Sequence, residues 1–314
     1  MEFGVCLPNF TFGAEPTKAN ILEVAQTAES LSYDSVWTSD HVLVTKDKPR
    51  YGTIFEALTT LAYVAGATKK VRLGTSVLVV PQRDAILVAK QVATIDALSE
   101  GRVILGIGVG WMDDEYANLG AQFNNRGRRM DEALKMMKVL WVEDDPQFEG
   151  EFYNFTSAIF GPKPSQTGGP PILVGGASDA AINRIASLGD GWHADDSSLE
   201  ELEEVTTRLR SMSDESGRPP AQISLRRTVD LRPVAADMGL LDKPSKDSGI
   251  KTGDRWPGSS TGALTGSLED ITAYIDQAVS LGVSHLIYQF EASTQEECLI
   301  QMDLAAREVN KRYS

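Results

Sequence analysis

Eight short runs of β-branched and apolar residues recur along the chain, each followed by a stretch of helical period. They are FGVCL (3–7), SVW (35–37), VRLGTSVLV (71–79), RVILGIGV (102–109), PILVGG (171–176), DGWHA (190–194), ISLRRTVDL (223–231) and HLIYQF (285–290). Between them, TKANILEVAQTAESL (17–31), FEALTTLAYVAGAT (55–68) and AILVAKQVATIDALS (85–99) repeat apolar residues at i, i+3, i+4 and i+7, the stripe of a helix packed on a sheet. Continuous apolar strands such as VILGIGV imply burial on both faces, as in a parallel sheet covered by helices. Eight such units in 314 residues predict one α/β domain over residues 1–314, a closed (β/α)8 TIM barrel. The rival, a doubly wound open sheet, requires G-x-G-x-x-G after its first strand, where this chain has PNFTFG.

Two stretches interrupt the alternation. FEGEFYNF (148–155) reads as a hairpin around Gly150, following the helix RMDEALKMMKVLW (129–141). A longer insertion, about 235–267, follows the seventh strand and is rich in Gly, Ser, Asp and Lys. Loops of that length inside a compact domain are lids, binding loops or disordered excursions. The formal net charge of −14 repels nucleic acid and anionic membrane surfaces, so neither partner is expected. No stretch approaches the ~18 apolar residues of a membrane span, and the chain opens without a basic and apolar leader, so a cytoplasmic location is expected. Cys6 and Cys298 lack C-x-x-C spacing; both are expected to be reduced and structural, and no metal site is expected.

In parallel barrels the chemistry gathers at the C-terminal ends of the strands, where the β-to-α loops open. Asp40 and His41 follow the second strand, so the imidazole is expected at the mouth, with a neighbouring carboxylate able to orient it. A helix cap at Asp40 beside a surface histidine is the plainer alternative. Gly74, Thr75 and Ser76 end the third strand with small residues that let a flat ring approach the backbone. Gly106, Gly108 and Gly110 would thin one wall of the fourth, although glycines also relieve crowding inside barrels. PILVGGASDAAINRIASLGDGW ends a strand in Gly175 and Gly176 and starts a helix at Ser178 or Asp179, an anion site suited to phosphate or an ordinary turn. His193 is expected to face the mouth, and His285, near the start of the eighth strand, the opposite end. Arg126, Arg128 and Arg129 surround a helix start; one can hold an anion, or the group pairs with Asp131 and Glu132 on a solvated face.

Together, FGVCLPNF, SVWTSDH, VRLGTSVLVVPQRDAILVAKQVATIDALSEGRVILGIGVGWMDDEY, RRMDEALKMMKVLW, GPKP and PILVGGASDAAINRIASLGDGWH resemble the bacterial luciferase-like flavin and deazaflavin superfamily. Within it the likeness is to oxidoreductases that use coenzyme F420, and it covers residues 1 to about 195. The resemblance implies a barrel with an elongated deazaflavin across its mouth. It puts Asp40 and His41 beside the redox-active ring, with His41 as proton donor or acceptor, and Thr75, Ser76 and Val77 beneath the ring, with a non-proline cis peptide at Ser76–Val77. Gly108, Val109 and Gly110 become the cofactor wall, and Gly175, Gly176 and Ala177 the backbone contacts to its phosphate. In F420-dependent sugar-phosphate dehydrogenases a catalytic glutamate follows the glycine matching Gly110; Trp111 stands there in this chain, so sugar-phosphate oxidation is not expected.

The implied function is hydride transfer between the deazaflavin C5 and a small organic substrate, with His41 assisting the proton. The alternative is an FMN-dependent monooxygenase using O2, and a further one is a binding protein on the same scaffold. A homodimer is expected from the habit of relatives.

Overall fold

Each apolar run becomes a strand and each striped run carries the chain back over the outside, so the long strands all point the same way. The computed structural model describes residues 1–11, 16–48, 51–242 and 262–313. Its strands are β1 (Glu2–Cys6), β2 (Ser35–Thr38), β3 (Arg72–Thr75), β4 (Leu78–Val79), β5 (Val103–Gly108), β6 (Phe148–Glu149), β7 (Asn154–Phe155), β8 (Ile172–Gly175), β9 (Gly191–Asp195), β10 (Gln222–Asp230), β11 (Leu264–Thr265) and β12 (His285–Phe290). Parallel pairing runs β1, β2, β3, β5, β8, β9, β10, β12 and back to β1, which closes the barrel. Its helices are α1 (Lys18–Ser30), α2 (Ala57–Ala67), α3 (Ala85–Leu98), α4 (Asp113–Asn118), α5 (Arg126–Val142), α6 (Asp179–Leu188), α7 (Leu199–Ser216), α8 (Arg232–Asp237), α9 (Leu268–Ser280) and α10 (Gln295–Leu304). Side chains of Thr17, Asp84, Ser178, Ser198, Ser267 and Thr294 accept backbone N–H groups at their helix starts, which fixes where each β-to-α loop ends.

The run 71–79 is not one strand. It breaks at a cis Ser76–Val77 peptide into β3 and β4. The expected hairpin is present as the antiparallel β6–β7 pair. The long insertion begins within α8 and ends with β11, which pairs parallel to β10; residues 243–261 lie outside the described residues. Among the described residues no helix is long and apolar enough to cross a membrane.

Two apolar cores result. The larger lies between strands and helices; the smaller plugs the barrel with Cys6, Trp37, Ile104, Leu173 and Ile287. Trp37 is fully buried, and its indole takes the space beside Gly4 and Gly74. This corrects the expectation that Gly74 opens the pocket floor to a flat ring. Any Cβ at Gly74 would overlap the indole, and one at Gly106 would overlap the Thr75 carbonyl, so both glycines relieve crowding inside the barrel.

Candidate active site

Above that plug, the mouth of the barrel holds a cavity of about 250 Å³. Its halves differ. One side is made by Val77, Gly108, Val109, Gly110, Gly175 and Gly176, apolar and thin; the other carries Asp195, Arg226, Thr228 and Gln289 from β9, β10 and β12. Gly110 and Gly176 have positive φ, and a Cβ at Gly110 would press on Val79. A planar apolar ring suits the first wall, and the start of α6 just beyond Gly176 suits an anion. Thr75 and Ala177 are not among the residues lining the cavity. Thr75 is buried in the sheet, its hydroxyl donating to the Gly106 carbonyl at 2.6 Å.

His41 lines the cavity, as expected from its place after β2. Its orienting carboxylate is not Asp40. Asp40 also lines the cavity, but its carboxylate is engaged elsewhere, accepting both ends of the Arg83 guanidinium at 2.6 and 2.9 Å and the Val79 N–H at 2.9 Å. Burial raises the Asp40 carboxyl above its ordinary range and Arg83 opposes that rise. The partner of His41 is Glu115, on α4: its Oε2 accepts from His41 Nδ1 at 2.9 Å, while Oε1 accepts the N–H groups of Val42 and Leu43 at 2.6 and 3.2 Å. Gln82 donates a further bond at 3.2 Å. Although burial pushes the Glu115 carboxyl up, these donors outweigh it and bring it down to about 2. An ionised carboxylate only accepts, so Nδ1 of His41 carries hydrogen and Nε2 is the atom left for chemistry; it makes no hydrogen bond with any described residue.

Sequence reasoning missed Glu115. In WMDDEY three successive carboxylates follow the fourth barrel strand, and nothing in their spacing tells which one turns inward. Only burial separates them: Glu115 is 1% exposed, whereas Asp113 and Asp114 are exposed. Around the imidazole stand Tyr51, with ring centroids 4.4 Å apart, and Trp111, edge-on at 6.1 Å.

His193 also reaches the cavity, stacked on Trp37 with ring centroids 5.0 Å apart. Burial, aided by Arg226, pulls its pKa down to about 3, so the ring is neutral. Ser224 gives its proton to the Trp192 carbonyl at 3.2 Å and therefore accepts from His193 Nδ1 at 2.8 Å. Nε2 then accepts from the Ser76 hydroxyl at 2.8 Å, which leaves Ser76 only lone pairs for the cavity. His285 sits at the other end of the barrel, hydrogen-bonded through Nε2 to Ser35, with Glu2 Oε2 3.2 Å from its Nδ1.

Two of the three clustered arginines are engaged by the protein itself, and Arg129 lies over the rings of Phe152 and Tyr153 with its Nε buried and unbonded. Arg126 donates to the carbonyls of Gly110 and Phe123, and Arg128 pairs with Glu151. The expected partners are engaged elsewhere: Asp131 with Arg184, and Glu132 with the N–H groups of 151–153.

Comparison with known proteins gives the same architecture. An uncharacterized protein of Mycobacterium tuberculosis is 35% identical over 163 residues, 52% of this chain and 56% of that protein. The chain thus spans about half the length of the first curated relatives it matches. An F420-dependent glucose-6-phosphate dehydrogenase of Kineococcus radiotolerans is 34% identical over 218 residues, covering 68% of this chain and 63% of its own. The crystal structure of monooxygenase RslO1 from Streptomyces bottropensis superposes over the full length of both chains with a TM-score of 0.82 at 23% identity, a shared fold. The profile of the luciferase-like monooxygenase family matches residues 1–238, and the chain belongs to that family.

Proposed function

We propose that this protein is a coenzyme F420-dependent oxidoreductase that moves a hydride between the deazaflavin C5 and a small organic substrate. One observation carries the reading: His41, locked through Nδ1 to buried Glu115, lines the same cavity as Val77 and the glycines Gly108, Gly110, Gly175 and Gly176. The coenzyme, when bound, supplies the two-electron chemistry at C5. Val77, Gly108 and Val109 would hold its ring, and Gly175, Gly176 and the start of α6 its phosphate. Nε2 of His41 gives or takes the proton at the substrate oxygen, and Glu115 keeps the ring in the one tautomer that allows it. The likeness to the Kineococcus enzyme favours F420 as the coenzyme.

The substrate is read as neutral. Arg226, the cavity's described cation, is held by Asp195 at 2.7 and 3.0 Å, and Trp111 takes the place of the glutamate of the sugar-phosphate enzymes. The rival reading, FMN-dependent monooxygenation, draws on the family's name and on the same wall. Fluorescence titration of the purified protein with F420 and with FMN separates them. Micromolar or tighter F420 binding with FMN at least tenfold weaker is expected; tight FMN binding without F420 binding reverses the assignment. The assembly is proposed as a homodimer, to be read by light scattering.

A further inference from the structure

The β9–β10–β12 side of the cavity holds polar groups that the proton chemistry of His41 does not use. Gln289, on β12, is 6% exposed and lines the cavity, yet its Oε1 is buried without a hydrogen-bond partner. Its amide makes no hydrogen bond with any described residue. Such a group costs about 1–3 kcal/mol unless something satisfies it. It stands in register with Thr228 on β10, on the same strand as Arg226. The Arg226 guanidinium gives two of its five N–H donors to Asp195 and reaches across the barrel until Nη1 stands 3.5 Å from the Ser76 carbonyl. That last contact is too long to satisfy a donor. The same side of the cavity therefore offers fixed donors from Arg226 and, from the adjacent strand two residues further along, an acceptor and two donors from Gln289.

We propose that Gln289 and Arg226 form a recognition site for an imide edge, a ring N–H flanked by carbonyls, on a planar heterocycle entering the barrel edge-first. Arg226 donates to a carbonyl oxygen and Gln289 Oε1 accepts from the ring N–H. Resting on the function proposed above, this assigns the pair to the pyrimidinedione end of the tricycle, which deazaflavins and flavins share. A phosphate or carboxylate does not fit, because it brings no donor for Gln289 and meets an arginine already neutralised by Asp195.

The test is binding by fluorescence titration, using F420, the 8-hydroxy-5-deazaflavin chromophore, and that chromophore methylated at its ring imide nitrogen. Wild-type protein is expected to bind the unmethylated chromophore about tenfold or more tighter than the methylated one, the worth of one buried hydrogen bond. Gln289→Leu is expected to bind both within about twofold, with an unchanged melting temperature; Gln289→Met serves if the leucine variant misfolds. Equal binding of both chromophores by wild type, or full discrimination by a folded Gln289 variant, overturns this inference while leaving F420 binding intact. Failure of wild type to bind F420 at all overturns the proposed function, and this inference with it.

Discussion

Trp37 lies almost parallel to His193, with ring centroids 5.0 Å apart and planes 19° from each other, so the imidazole that reaches the cavity rests on the buried indole of the barrel core. The indole can lie there only because Gly4 and Gly74 lack side chains. Gly74→Ala is therefore expected to cost about 1–3 kcal/mol through overpacking. Urea unfolding measures it, and Trp37→Leu in the same chain should recover part of the loss; an additive double variant would contradict the contact.

The buried Glu115 carboxylate accepts four hydrogen bonds, two of them from backbone N–H groups. Glu115→Gln turns an NH2 toward donors and is expected to lower stability by about 1–3 kcal/mol. It also frees the tautomer of His41. In 15N NMR of the protein, wild type should report hydrogen on Nδ1 of His41 and the variant a mixture. A single tautomer in both would mean that Glu115 does not set it.

The pair of Asp40 and Arg83 ties the end of β2 to the segment after β4. Arg83→Met leaves a buried carboxylate without its cation and is expected to cost about 3–5 kcal/mol, with Asp40→Asn in the same chain restoring part of it. Chemical denaturation of the two single variants and the double variant gives the coupling energy. A coupling near zero would mean that the pair contributes no more than a surface bridge.

Acid should unfold the protein through its buried histidines first. Burial, joined by Arg226 at His193 and by Arg72 at His285, brings both down from 6.5 to about 3. Their folded values are depressed, so the unfolded chain binds more protons as pH falls; the stability present above 6.5 is lost between there and about 3. Each histidine adds up to about 1.4 kcal/mol per pH unit within that window. Glu115 follows the same sign in a lower window, from 4.5 toward about 2. Stability measured at pH 7 and pH 5 should fall less in His285→Gln than in wild type, and an equal fall would contradict the assignment.

The barrel was legible because parallel strands buried on both faces need unbroken apolar runs, and those runs lie where β1, β2, β5, β8, β9, β10 and β12 form. The break inside 71–79 was legible only through resemblance, since no composition rule marks Ser76 and Val77. Strand-end logic brought His41 to the barrel mouth with a surface histidine as the plainer alternative, and the resemblance decided between them. Its partner was not legible, because adjacency in sequence favoured Asp40 whereas the chain brings Glu115 from 74 residues away. Gln289 and Arg226 escaped notice for a related reason: alternation along β10 and β12 hides which residues face inward until the barrel closes. Gly74 misled because a glycine in a strand reads alike whether a ligand or an indole fills the space.

The most direct measurement is a crystal structure with F420 bound. The deazaflavin ring is expected against Val77 and Gly108, with C5 exposed to the space beside His41 Nε2 and the pyrimidinedione edge on Gln289 and Arg226. A ring bound outside the barrel mouth, or His41 turned from the cavity with Glu115 unpaired, would contradict this placement.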